Sequence, residues 1–365
     1  MLRITELIKS SKNGIFRKPF PGVILIWNLT NTCNLKCKHC YASATQNRKE
    51  ELSREEILGL LADLQKNRVR FAVLSGGEPL LREDLFEIAC SMKEVGIIPS
   101  LSTNGGLIED RHLPLIQEHF DYVGISIDGP ELIHDRFRGK SGAFKKSLGA
   151  IRKCRDSGLK VGIRFTICKE TFSGLSFVFE LAEKEGIPKI YLSHLVDSGR
   201  ADTVEDLAMD DYKEGVQFII KKAFSYVENG IGIDVVTGNN EADGVVLYRE
   251  FQKRFPAQED VLYKNLQTWG GNQAGVRLVN IDYLGNVKPD PFFPDSLGNL
   301  REKTFSEIWE DAALLGPLRN RPRILEGKCG SCTYLNICNG GSRARAFSRY
   351  GSYSAEDPAC HVMSQ

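Results

Sequence analysis

The chain has 365 residues, enough for two domains or one large domain with an appendage. Its 48 basic and 47 acidic residues nearly cancel, so no global field points to nucleic acid or to a membrane surface. The longest apolar runs, such as Val23 to Trp27, fall far short of the roughly 20 residues of a membrane span, and no signal-peptide core stands near Met1. A cytoplasmic chain without membrane or nucleic-acid partners is expected.

Residues 1–20 read as a short basic lead, with a small helix around Ile4, Leu7 and Ile8 and a linker ending at Pro19-Phe20-Pro21. From Val23 onward, strand-like runs at 23–28, 71–75, 98–103, 122–127, 160–166 and 189–194 alternate with helical patterns at 53–66, 83–95, 110–119, 142–157 and 173–185. Such alternation demands a parallel sheet with right-handed crossovers. Six units finish by residue 196, too few for a full eight-stranded barrel, which takes about 250 residues. The predicted fold is α/β, a partial barrel of six strand-helix units with a lateral mouth. Catalytic groups are then expected at the C-terminal strand ends.

Those ends carry polar or reactive residues. The loop after the first strand holds Cys33, Cys37 and Cys40 in a C-x3-C-x2-C pattern, followed by Tyr41. Structural zinc prefers a closed set of four ligands, whereas a cubane iron-sulfur cluster on three thiolates keeps one iron open. Ser75-Gly76-Gly77-Glu78-Pro79 follows the second strand, where glycine admits close backbone approach and Glu78 could accept an ammonium. Ser102 and Asn104 end the third strand, and Ser126 and Asp128 the fourth; each is also an ordinary cap or turn residue. Arg164 is a charge inside an apolar strand, which calls for a carboxylate partner from a ligand or from the protein. His194, ending the sixth strand, suits a proton donor, a ligand to a substrate metal, or a satisfied structural histidine.

After residue 200 the pattern turns helical, at 207–228, 241–254 and 259–268, with glycine-rich turns at Gly230-Ile231-Gly232 and Thr237-Gly238-Asn239-Asn240. A hairpin is predicted from 276–281 and 286–289, and Thr304 ahead of an acidic first turn starts another helix. Ten cysteines are many for a reducing compartment, where disulfides are rare. Cys90, Cys154 and Cys168 are scattered and read as small apolar residues. Cys329, Cys332, Cys338 and Cys360 form a second group that suits either structural zinc or a further cluster. Between residues 316 and 350, Arg319, Arg321, Arg323, Lys328, Arg343, Arg345 and Arg349 stand against the single acid Glu326. They form a solvated face, or they hold a substrate with several carboxylates.

The first cysteine triad with Tyr41, together with Gly76-Gly77-Glu78-Pro79, resembles the signature of the radical SAM superfamily. That resemblance implies a [4Fe-4S] cluster on Cys33, Cys37 and Cys40 whose open iron binds S-adenosyl-L-methionine, cleaved by one electron to methionine and a 5′-deoxyadenosyl radical. It implies cofactor contacts at Tyr41, Gly76, Gly77, Glu78, Ser102, Asn104, Ser126, Asp128 and Arg164, and an electron donor such as ferredoxin or flavodoxin. The second cysteine group resembles the C-terminal extension of SPASM and Twitch enzymes, which carries auxiliary clusters. A complete SPASM domain uses more cysteines; none lies between 168 and 329, and Ser342 stands near a later ligand position. One auxiliary [4Fe-4S] cluster is therefore expected. The implied division is a lead at 1–20, a radical SAM barrel at 21–200, a helical linker at 201–275 and a cluster domain at 276–365.

Longer phrases, among them Val236-Thr237-Gly238-Asn239-Asn240-Glu241-Ala242-Asp243-Gly244, Trp269-Gly270-Gly271-Asn272 and Ala355-Glu356-Asp357-Pro358-Ala359-Cys360, resemble the NirJ family of haem d1 biosynthesis. This resemblance implies 12,18-didecarboxysirohaem as substrate and loss of two propionate side chains, with His194 as proton donor or iron ligand. The related AhbC-type enzymes, which remove acetate groups from the same tetrapyrrole to give iron-coproporphyrin III, share most of these motifs. A SPASM peptide maturase would need a leader-peptide-binding domain, for which the stretch before the first strand is too short. A non-catalytic iron-sulfur or zinc scaffold would not need Glu78 or Arg164.

Overall fold

A computed structural model describes residues 1–46, 50–310, 313 and 315–362. Among the described residues eleven strands form one sheet: β1 (Leu2–Arg3), β2 (Val23–Thr30), β3 (Val69–Gly76), β4 (Ile98–Thr103), β5 (Val123–Ser126), β6 (Val161–Ile167), β7 (Lys189–His194), β8 (Asp234–Gly238), β9 (Leu278–Ile281), β10 (Asn286–Lys288) and β11 (Gly298–Asn299). Their order is β1-β8-β7-β6-β5-β4-β3-β2-β9-β10-β11. The run from β2 to β7 is parallel throughout, as the six alternating units require.

The crossover helices Arg54–Lys66, Leu85–Glu94, Leu113–His119, Ala143–Asp156 and Leu175–Glu185 lie close to the periodic segments that encode them. Helix Arg54–Lys66 starts where it does because Ser53 accepts from the Glu56 amide while the Glu56 carboxylate takes the Ser53 amide. The Thr304 expectation holds in the same way, with Thr304 and Glu307 exchanging bonds ahead of helix Phe305–Glu310. One core of aliphatic and aromatic side chains runs from the lead into the C-terminal region, with Trp27 wholly buried within it.

Three features differ from the sequence expectation. A seventh parallel strand, β8, pairs with β7 after helix Met209–Glu228, where only helices and a glycine-rich turn were expected. Its buried Val235 and Val236 lie between glycines, too short a run to give a strand signal. The hairpin predicted at 276–289 forms as β9 and β10, and β9 extends the barrel sheet by pairing in parallel with β2. The lead joins the same sheet at its other edge, β1 pairing antiparallel with β8. No helix among the described residues is long and apolar enough to cross a membrane.

Candidate active site

The cysteine loop leaves β2 and packs as a small apolar cluster of its own, in which Cys33 and Cys37 are buried beside Leu35 and Ala44, with Cys40 against them. Backbone bonds close its base, the Cys33 amide donating to the Thr45 carbonyl at 2.7 Å and the Thr45 amide to the Asn31 carbonyl at 2.8 Å. Each sulfur meets a donor: the Leu35 amide at 3.4 Å from Cys33, the Ala44 amide at 3.4 Å from Cys40, and Arg138 Nη1 at 3.8 Å from Cys37. Burial pushes the Cys33 thiol up to about 12 and raises that of Cys37. Three free thiols with N–H donors aimed at them fit an iron-sulfur cluster, whose thiolates take such bonds. His39, inside the loop, turns its ring onto Phe137 at 4.2 Å.

The residues that hold this loop were not legible in the sequence. Arg200, beyond β7, donates to the Cys37 and Ala44 carbonyls at 3.0 and 2.6 Å. Gly199 meets the Cys40 and Tyr41 carbonyls so closely that no Cβ fits, which places Arg200 against the loop. Asn34 accepts from the Asn104 side chain at 2.8 Å, tying the loop to the end of β4.

The other expected contacts gather at the same strand ends, in altered roles. Gly76 and Gly77 sit against the Thr30 and Thr32 carbonyls, and their amide and that of Glu78 continue the pairing into the loop. Glu78, expected to meet an ammonium, is wholly buried and accepts from Thr103 Oγ1 at 2.7 Å, the Asn104 amide at 2.9 Å and the Leu80 amide at 3.2 Å. Its carboxylate braces the β3 turn against β4. Asp128, expected at the nucleoside, is also wholly buried and pairs with Arg138 at 2.6 Å. Ser102 and Ser126 are half-buried at the ends of β4 and β5. Tyr41 donates to Asn28 at 2.9 Å and meets the Phe292 ring edge-on at 5.4 Å, so the cysteine loop touches the C-terminal region.

Arg164 keeps the property that drew attention to it. It lies beside Ser126 and Tyr191 in register, with its guanidinium 4.8 Å over the Tyr191 ring. Among the described residues no carboxylate lies within ion-pair distance of it. A half-buried cation stacked on an aromatic face and lacking a carboxylate suits an anionic ligand group. Arg164→Gln is expected to raise the KM for S-adenosylmethionine by roughly 10–100-fold, the loss of one charge-assisted bond, with the folding midpoint unchanged. An unaltered KM in steady-state assays removes this role.

His194, for which the sequence allows a proton donor, a ligand to a substrate metal or a satisfied structural histidine, sits in a buried contact with Asp243. It is 1% exposed, its Nε2 lies 3.0 Å from Asp243 Oδ2, and its ring stacks on Tyr212 at 5.6 Å. His361 approaches the other Asp243 oxygen at 3.6 Å. The two imidazoles beside Asp243 hold its carboxyl below the ordinary carboxylate range against the opposing effect of burial. His194 is thus enclosed by protein at the end of β7.

Cys329, Cys332, Cys338 and Cys360 line one cavity, together with Asn240 and Tyr334, although 21 residues separate Cys360 from Cys338 in the chain. All four are free thiols. Burial pushes Cys338 up to about 12, and the Gly340 amide points at its sulfur at 3.4 Å. A thiol-lined hollow with an amide aimed at sulfur fits a cluster.

Four of these basic residues are spent on backbone carbonyls of the protein, which corrects their reading as carboxylate forks, while Arg349 stays on the exposed face. Arg319 donates to the Gly275 and Trp309 carbonyls, Arg321 to Leu318 and Asn272, Arg323 to Leu318 and Asn339, and Arg343 to Tyr353 and Ala355. Irregular chain leaves carbonyls without ladder partners, and a guanidinium with five donors satisfies several at once.

Asp290, just past β10, is buried with its Oδ1 accepting from the Phe292 amide at 2.8 Å, and burial raises its carboxyl from 3.8 to about 7. A folded-state value above the unfolded one means that folding takes up a proton. Stability therefore falls as pH rises from about 4 through 7 and stays lowered above. Asp290→Asn keeps the Phe292 bond and is expected to stabilise by on the order of 2 kcal/mol at pH 8 and far less at pH 5. Equal effects in denaturant titrations at the two pH values contradict this.

Comparison with known proteins bears on what these two thiol groups serve. Residues 27–182 match the family model of the radical SAM superfamily. The chain is 41% identical over 350 residues to the pre-haem d1 synthase of Dinoroseobacter shibae, covering 94% of this chain and 87% of that one. It is 37% identical over 371 residues to the Fe-coproporphyrin III synthase of Methanosarcina barkeri, covering 99% and 91%. The solved structure of Streptococcus suis SuiB bound to S-adenosylmethionine shares the fold, with a TM-score of 0.72 over 97% of this chain and 80% of that chain at 17% identity. Relatives this similar over nearly their whole lengths, and a family match spanning the cysteine loop and most of the parallel strands, make this chain a member of the radical SAM superfamily.

Proposed function

We propose that this enzyme removes the two propionate side chains of 12,18-didecarboxysirohaem on the route to haem d1. The near-full-length likeness to a pre-haem d1 synthase carries the reading. In it, residues 21–200 form the barrel that holds one [4Fe-4S] cluster on Cys33, Cys37 and Cys40. Residues 276–365 hold a second on Cys329, Cys332, Cys338 and Cys360, with 201–275 as the helical linker.

When bound, cluster and S-adenosylmethionine supply a carbon-centred radical after uptake of one electron from a donor of ferredoxin or flavodoxin type. The chain does the positioning. Arg164 binds a carboxylate over Tyr191, while the Gly76-Gly77 turn offers backbone to an amino group and Ser102 and Ser126 offer hydroxyls to a ribose. The Asn34–Asn104 bond and Arg200 keep the cysteine loop in place, and Tyr41 packs edge-on against Phe292. A cytoplasmic location accords with this chemistry.

Loss of acetate side chains is the second reading, favoured by the 37% identity to an Fe-coproporphyrin III synthase. Anaerobic turnover of 12,18-didecarboxysirohaem separates the two, because the product masses differ. Loss of two propionate groups supports the first reading and loss of two acetate groups the second. Protein that retains zinc and forms no deoxyadenosine defeats both.

A further inference from the structure

Helix Glu131–Arg138 ends against the cysteine loop on both sides of Cys37. Gly139, in the left-handed region at φ 68°, packs on the Lys36 carbonyl, and the Lys38 amide donates to the Phe137 carbonyl at 3.1 Å. Arg138, at the end of this helix, is 9% exposed and places Nη1 3.8 Å from the Cys37 sulfur. Its Nε donates to Asp128 at 2.6 Å, and the other Asp128 oxygen takes the Thr166 amide at 3.1 Å, so the carboxylate is fixed from β6. Cys33 and Cys40 receive backbone amides; among the described residues Cys37 is the sulfur that faces a full positive charge.

We propose that the Asp128–Arg138 pair sets the reduction potential of the cluster held by Cys33, Cys37 and Cys40. This rests on the reading above that these cysteines hold a cluster. Adding one electron makes the cluster and its thiolates more negative, so a buried cation at Cys37 stabilises the reduced form and raises the potential. The Asp128 carboxylate works against that gain while it fixes the guanidinium, so the pair is a positioning and tuning device and touches no substrate. Removing either member therefore moves the potential, in opposite directions.

The test uses the full chain reconstituted anaerobically with iron and sulfide. A potentiometric titration with dithionite follows the electron-paramagnetic signal that changes when S-adenosylmethionine is added, which separates this cluster from the second. Arg138→Gln is expected to lower the midpoint, Asp128→Asn to raise it, and Arg138→Lys to restore it towards the parent value. Unmoved midpoints, or shifts of the same sign in the Gln and Asn variants, overturn the proposal. If Arg138→Gln retains too little iron to titrate, Asp128→Asn decides alone: an upward shift supports the pair as the tuning element, and any other result refutes it. A parent protein without iron overturns the cluster reading itself, and the tuning role with it.

Discussion

Alanine at Cys33, Cys37 or Cys40 is expected to suppress deoxyadenosine formation by more than about 100-fold, beyond what loss of an outer-shell contact to a metal site costs. The expectation follows from geometry as well as from family membership. The three sulfurs share one small buried cluster, each already faces an N–H donor, and the loop around them is pinned by Arg200 and Asn104. Two cysteines cannot hold a cubane with one open corner. The fold should survive, because this thiol cluster stands apart from the main core. Iron content should drop towards half while circular dichroism stays the same. Undiminished deoxyadenosine release from the triple variant, measured by chromatography under exclusion of oxygen, would refute the assignment.

Truncating Arg345 to alanine should destabilise the protein by about 3–5 kcal/mol, the usual cost of stranding one partner of a buried ion pair. Arg345 and Asp357 are both buried and meet at 2.9 Å through both carboxylate oxygens. The same guanidinium donates to the Leu195 carbonyl after β7 at 2.8 Å and to the Asn239 carbonyl after β8 at 2.6 Å. One side chain thus joins the C-terminal segment to two strand ends of the barrel. Asp357 in turn takes the Ser342 and Ala359 amides beside Cys360, so, on the proposal that Cys329, Cys332, Cys338 and Cys360 hold a second cluster, the variant should also lose iron from it before the first. The double change Arg345→Met with Asp357→Leu leaves no unpaired charge and should cost less than the single truncation. Anaerobic denaturant titration with iron analysis checks both statements, and an Arg345→Ala protein as stable as the parent contradicts them.

Arg164 and Arg345 illustrate what a residue type can disclose and what it cannot. Both are charges in apolar surroundings, and both invited a carboxylate partner from a ligand. Arg164 has no protein carboxylate in reach, whereas Arg345 finds Asp357, which stands 12 positions further along the chain. Residue type shows that a buried charge needs a partner; spatial neighbours decide whether the protein provides one. Glu78 and Asp128 follow the Arg345 pattern, since each satisfies another part of the fold. Arg138 and Arg200 escaped notice because their value depends on meeting sulfur or carbonyl groups about 100 and 160 residues away, a separation no local pattern encodes.

By itself the sequence determined the alternating parallel architecture, since apolar runs of 5–7 residues set between amphipathic helices admit few other packings. It determined both cysteine groups as well, because thiols so closely spaced have a chemistry that short-range spacing already expresses. Only the tertiary structure decided that β8 and β9 extend the sheet, that His194 turns into a buried contact with Asp243, and that several C-terminal arginines serve backbone carbonyls near and far in the chain. The physical reason is that strand pairing and charge satisfaction are settled by which groups meet across long chain separations, whereas periodicity and ligand spacing are local.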